Sequence, residues 1–149
     1  MTADASLRDA VESYLGRLRA GDIDGAFHGL TDLGPRAIQP LAVAYRLEGS
    51  PQTRAALLRI ISEFRTPLAL PLLEEALRAH PTGDWEVALD GLVTLASEEA
   101  VRVIESVLDD EDQKGQPNEE FMAWLREALQ QAYATRGETS HSDPGGTIS

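Results

Sequence analysis

The chain of 149 residues is long enough for one domain with a buried core, and its 42% apolar and 26% charged residues place it in the soluble globular class. It contains no cysteine, which excludes a disulfide framework, a thiol nucleophile and a cysteine zinc site, and which fits a reducing compartment. The net charge of −12 is uneven: residues 1–80 carry nine arginines against ten Asp and Glu, whereas residues 81–149 carry four basic against fifteen acidic groups. Such a field repels a phosphate backbone and attracts a basic partner, although a charge that serves only solubility would look the same.

The N-terminal stretch "MTADASLRDAVESYLG" has acidic residues where a signal peptide needs basic ones. No apolar run approaches the ~18 residues of a membrane span. A cytoplasmic location is the expectation. Residues 6–21, "SLRDAVESYLGRLRAG", place Leu7, Val11, Tyr14, Leu15 and Leu18 on one helical face, and Gly21 follows as a stop.

From residue 22 onward the chain aligns with itself at a shift of 31 residues. Ala26, Leu57 and Ala88 coincide, as do Leu30, Ile61 and Leu92, then Ile38, Ala69 and Ala100, and then Ala42, Leu73 and Ile104. Within each unit the matched positions step by one and three on either side of a break, the spacing of two consecutive helices. The breaks read "LGPRA" at 33–37, "FRTPLA" at 64–69 and "LASEEA" at 95–100. Thr66 before Pro67 and Ser97 before two glutamates are N-cap signals. Pro40 and Pro71 fit only if regular helix begins late, where the missing N–H has no intrahelical partner.

Three helical hairpins follow, none able to hide its apolar face alone, so stacking must supply the core. A closing helix is expected in "NEEFMAWLREALQQAYATRG" at 118–137, with Phe121, Leu125, Ala128, Leu129 and Ala132 as its stripe and Gly137 as its end. The fold class is therefore all-α: a right-handed α-solenoid of about three helical hairpins with capping helices at both ends. One domain over 1–136 is expected, followed by a disordered polar tail over 137–149.

The segments "LGPRAIQPLAVAYR", "RAALLRIISEFRTPLALPLLEEAL" and "WEVALDGLVTLASEEAVRVIESVL" resemble the short HEAT-like repeats of bacterial proteins, the variety known from phycobilin lyases. The resemblance covers roughly residues 22 to 110 and is specific for architecture rather than activity. It departs in the third unit, where Trp85 stands at the position of Arg54. It implies a concave surface lined by the second helix of each pair, and an armadillo-like protein-binding role.

Motifs for chemistry are sparse. In the acidic run "DDEDQKGQPNEE" at 109–120, Asp110, Asp112 and Gly115 occupy positions 1, 3 and 6 of a calcium loop, but position 12 is Phe121. Shifting the register to Asp109 brings Glu120 to position 12 and Lys114 to the glycine position, so a solvated loop is the better reading. His28, His80 and His141 have no metal-ligand spacing, and no nucleophile elbow, phosphate loop or dinucleotide fingerprint occurs. No catalytic residue, metal or cofactor is assigned, and a single lysine in the chain speaks against a nucleic-acid groove.

The expected function is protein binding, with a basic protein as partner. The residues expected to carry it are Glu74, Glu98, Arg102, Glu105, Asp109, Asp110 and Asp112 on the second helices, with Trp85 and Trp124 as aromatic anchors. Solvated helix faces would carry the same charges, and a core or capping role would serve the tryptophans equally. Inhibition of a basic toxin, as by an immunity protein, is one task such a polyanionic surface suits. The alternatives are a phycobilin-lyase-like enzyme or enzyme subunit, and a structural scaffold.

Overall fold

The computed structural model describes residues 2–140, with the side chains of 6–135. Eight α-helices make up nearly all of it, and there is no strand among the described residues: α1 (Thr2–Arg19), α2 (Ile23–Asp32), α3 (Ile38–Leu47), α4 (Pro51–Glu63), α5 (Leu70–Arg78), α6 (Trp85–Leu95), α7 (Glu98–Asp112) and α8 (Glu119–Ser140). Short 3-10 turns, Pro35–Ala37 and Pro67–Ala69, precede α3 and α5. They explain both internal prolines, because Pro40 and Pro71 fall within the first three residues of regular helix, where a proline displaces no established backbone hydrogen bond.

Helix starts follow the side chains that the sequence offers. The Asp22 carboxylate accepts the Gly25 N–H at 3.0 Å, Thr66 accepts that of Leu68 at 3.3 Å and Ser97 accepts that of Ala100 at 3.1 Å. Each break after a first helix turns through one left-handed residue at the same repeat position: Gly34 (φ 84°), Arg65 (φ 50°) and Ala96 (φ 50°). Only the first of these is glycine, the residue that adopts this conformation without a Cβ clash. The three units thus share the position and the sign of φ but not one conformation, since Gly34 pairs its φ with an extended ψ of −178° whereas Ala96 is left-handed helical at ψ 24°. A positive φ costs about 1 kcal/mol where a side chain is present.

The repeat-matched residues form the core. Ala26, Leu57 and Ala88 are buried at one level, Leu30, Ile61 and Leu92 at the next, and Ala42, Leu73 and Ile104 in the second helices. A continuous hydrophobic cluster runs from Val11 in α1 to Ala132 in α8. Burial of each large aliphatic side chain contributes roughly 1.5–3 kcal/mol before chain entropy is subtracted. Packing is serial: α1 lies on α2, α2 on α4, α4 on α6 and α6 on α8, while α3, α5 and α7 lean on α4, α6 and α8 respectively. Gly29 permits the close approach of α1 and α2, since a Cβ there would strike the Tyr14 ring.

The end of the last helix departs from expectation. The backbone of α8 continues through Gly137 to Ser140, so the boundary expected at 136/137 is not a helix stop. A glycine inside a helix costs only about 1 kcal/mol relative to alanine, less than the neighbouring turns can supply. The remainder of the expected tail, residues 141–149, lies outside the described residues.

Candidate functional site

Several charged residues at the ends of α1, α3 and α5 are engaged across helices. Arg19 at the end of α1 reaches Glu48 after α3 at 3.1 Å, and Arg46 in the last turn of α3 grips both carboxylate oxygens of Glu75 in α5 at 2.9–3.2 Å. Arg78 closing α5 donates to Glu74 at 2.9 Å, to Asp110 of α7 at 2.7 Å and to the Ser106 hydroxyl at 3.0 Å. An arginine at the end of each of α1, α3 and α5 therefore answers an acceptor farther along the chain. The hydrogen bonds from Arg46 hold the Glu75 carboxyl below the ordinary carboxylate range, and those that Arg78 donates to Asp110 and Glu74 raise its own pKa.

The residues expected to bind a partner fall into separate groups. Glu74 and Asp110 meet through Arg78, and Glu98 pairs with Arg102 at 3.6 Å near the start of α7. Glu105, Asp109 and Asp112 line a hollow of 280 Å³ between α7 and α8, together with Leu108, Met122 and Arg126. Within this group the Tyr133 hydroxyl donates to Glu105 and the Gln113 amide donates to Asp109. Trp85 and Trp124, 39 positions apart in sequence, are in edge contact with centroids 5.8 Å apart and planes at 88°.

The acidic run after α7 turns one carboxylate inward. Glu111 is only 5% exposed; it accepts the Asn118 backbone N–H at 2.7 Å and pairs with Lys114 at 2.8 Å. Lys114 first, and then the Asn118 N–H, hold its carboxyl below the usual range. Asn118 in turn caps α8 by accepting the Phe121 N–H at 2.9 Å. Since Asp110 faces Arg78 while Glu111 faces Lys114, adjacent carboxylates of this run point to different partners. Among the described residues no group of three or more acidic or histidine side chains is placed to hold a metal ion.

The tryptophans belong to an aromatic cluster that the sequence did not reveal. His80 stacks on Phe121 with centroids 3.7 Å apart and planes at 6°, and Trp85 meets both rings edge-on, at 4.8 Å from His80 and 5.2 Å from Phe121. Burial among these rings lowers the pKa of His80 and favours the neutral imidazole. Trp124 closes the series and is 47% exposed. Two hollows flank it, one of 310 Å³ bounded by His80, Pro81, Trp85, Glu86, Glu120 and Phe121, the other of 270 Å³ bounded by Glu86, Leu89, Asp90, Val93 and Glu127.

The carboxylates of Glu86, Asp90, Glu120 and Glu127 enter no ion pair among the described residues. They rim the two hollows, and Glu86 and Trp124 belong to both. The residues expected from the sequence lie mainly on the second helices and do not include Glu86, Asp90 and Glu127, which lie on α6 and α8. The available signal was their spacing: Glu86 and Asp90 are one helical turn apart beside Trp85, and Glu120, Trp124 and Glu127 share a face of α8.

Two further features stand apart. The Tyr45 hydroxyl donates to Asp84 at 2.8 Å while the Arg54 guanidinium lies 4.6 Å from the Tyr45 ring centroid, which joins α3, α4 and the residue before α6. Between α1 and α3 an apolar hollow of 430 Å³ is lined by Leu7, Val11, Pro40, Val43, Ala44 and Leu47. No helix among the described residues is long and apolar enough to cross a membrane. No family model matches the chain, and neither a curated protein nor a solved structure matches it.

Proposed function

We propose that this protein is an interaction module: a short α-solenoid of HEAT-like helix pairs whose acidic C-terminal half binds a basic protein partner. Support for the repeat reading comes from the positive φ that recurs at Gly34, Arg65 and Ala96, 31 residues apart, and from the serial packing of α2, α4, α6 and α8. The single observation that carries the binding reading is the exposed Trp124 indole set among four carboxylates that have no ion pair among the described residues. An apolar anchor ringed by one sign of charge suits a cationic surface, and steering by the field raises association rate. Occupying and neutralising a cationic enzyme site, as an immunity protein does to a toxin, is the specific task this surface suits.

The test is kinetic. A basic partner captured from the source cell is mixed in stopped flow with the wild type, with a Glu86→Gln, Asp90→Asn, Glu127→Gln triple variant, and with an Asp9→Asn, Glu12→Gln, Asp24→Asn triple variant. Association is expected to slow several-fold with added salt, and several-fold in the first variant but not in the second. Equal slowing in both variants would reduce the acidic half to a general solubilising charge.

A further inference from the structure

We infer that the α6–α8 groove takes an extended, arginine-bearing peptide segment of its partner, with cationic side chains seated on the two sides of Trp124. This rests on the proposed binding role and names the ligand chemistry of the same surface. Three observations argue for it. The groove has two separate hollows, each sized for one or a few side chains, and both share Trp124 and Glu86. In an extended segment, side chains two residues apart point the same way with a separation of about 6.6 Å, wide enough to leave one indole between the two groups.

The second observation is charge. Glu86 and Glu120 border one hollow while Glu86, Asp90 and Glu127 border the other, so each offers more than one carboxylate to a guanidinium. The cation next to this rim in sequence, Arg126, lines the hollow with Glu105, Asp109 and Asp112 instead, so it does not neutralise the groove from within. The third is the aromatic support. Trp124 is held edge-on by Trp85, which is fixed by His80 and Phe121, and a pre-positioned indole attracts a guanidinium by its ring quadrupole without first losing rotamer freedom. Arginine suits this surface better than lysine because its planar, weakly hydrated head stacks on a ring and still donates in-plane to carboxylates.

The experiment follows the Trp124 indole N–H in 1H–15N spectra, assigned by its loss in Trp124→Phe, during titration with the capped peptides ARARA, AKAKA, AEAEA and ALALA. A saturable shift is expected with the arginine peptide, about three-fold weaker binding with the lysine peptide, and none with the glutamate and leucine peptides. Shifts of neighbouring backbone amides should show binding at least ten-fold weaker in Trp124→Ala, most of it restored in Trp124→Phe, and about three-fold weaker in Glu86→Gln. Glu99→Gln, outside the groove, should bind as the wild type does. Equal weakening in Glu86→Gln and Glu99→Gln, an equal response to the leucine peptide, or shifts confined to the Glu105, Asp109 and Asp112 hollow would each overturn the assignment. If a basic partner associates through the acidic half while the arginine peptide leaves Trp124 unmoved, this inference fails and the proposed function stands. If the peptide binds as expected but partner association ignores the charge variants, the proposed function fails and the arginine site stands.

Discussion

The face formed by α5 and α7 and the flank formed by α6 and α8 are both acidic, yet the carboxylates on the two have different partners. On the first face Glu74, Glu75 and Asp110 are each met by an arginine from the same or the preceding unit. On the flank, Glu86, Asp90, Glu120 and Glu127 surround an exposed tryptophan without an ion pair among the described residues. On the first face two guanidiniums answer three carboxylates and tie helices together, whereas charge left open beside an aromatic adds no such tie, so something else must keep α6 and α8 together. Apolar burial does this, and the inward-turned Glu111 ties the end of α7 to the start of α8.

The contrast is broken most completely from the core that both faces share. Leu92 is fully buried in α6, so Leu92→Asp places an unpaired carboxylate among aliphatic side chains and should cost more than about 4 kcal/mol. Loss of helical circular dichroism and of a cooperative melt is expected. A native melting temperature would show that α6 can turn that position to solvent.

A smaller, local loss is expected at Glu111. Glu111→Ala strands the part-buried Asn118 N–H and removes the Lys114 ion pair, and should destabilise the fold by about 1–3 kcal/mol. Its pH dependence has a definite sign. The folded-state pKa lies below the ordinary 4.5, so the contribution is fully present above 4.5 and is lost as pH falls through the lowered value. Urea unfolding at a series of pH values below 4.5 should therefore show a shallower decline in Glu111→Gln than in the wild type. Parallel declines would mean that the carboxylate is not responsible for the acid sensitivity.

Arg78 sharpens the comparison from the other face. Arg78→Met removes donors to Glu74, Asp110 and Ser106 and should cost up to about 1 kcal/mol, since exposed pairs are worth little singly and gain when several share one guanidinium. The difference in urea midpoint between variant and wild type should shrink at high salt. A loss that salt leaves untouched would assign the effect to the packing of the arginine stem.

How much of this was legible depends on whether a feature repeats. The period of 31 residues exposes the helix pairs, the caps at Thr66 and Ser97 and most of the buried positions of α2 to α7, and helical stripes expose those of α1 and α8, because apolar spacing is a local signal imposed by helix geometry. Ile60, Leu77 and Val101 are buried outside the matched register. The arginine ladder was half legible: Arg19 with Glu48 and Arg46 with Glu75 are both 29 apart, close to the repeat length. Glu111 was hidden in a run of acids that reads as solvated, since its burial depends on where the chain returns at Asn118. The meeting of Trp85 with Trp124 was hidden because no local pattern relates the start of α6 to the face of α8. Gly137 misled because a glycine permits a helix end without requiring one.

The smallest expected effect bears most directly on the difference between the two faces. If Glu86 and Glu127 serve only a partner, then Glu86→Gln with Glu127→Gln should leave stability within about 0.5 kcal/mol of the wild type, and on the stabilising side at low salt, because like charges converge on the same hollow. The matched control is Glu74→Gln with Asp110→Asn, which removes the same number of charges but orphans Arg78. That pair should be less stable than the wild type, with the deficit narrowing as salt rises. Urea unfolding of both double variants at low and high salt separates the cases. If the flank pair is destabilised by 1 kcal/mol or more, roughly the scale of a lost native hydrogen bond, then its carboxylates belong to the fold and the distinction between the faces fails. Opposite signs at low salt would leave the α6–α8 flank as the place where this chain presents charge that its own fold does not need.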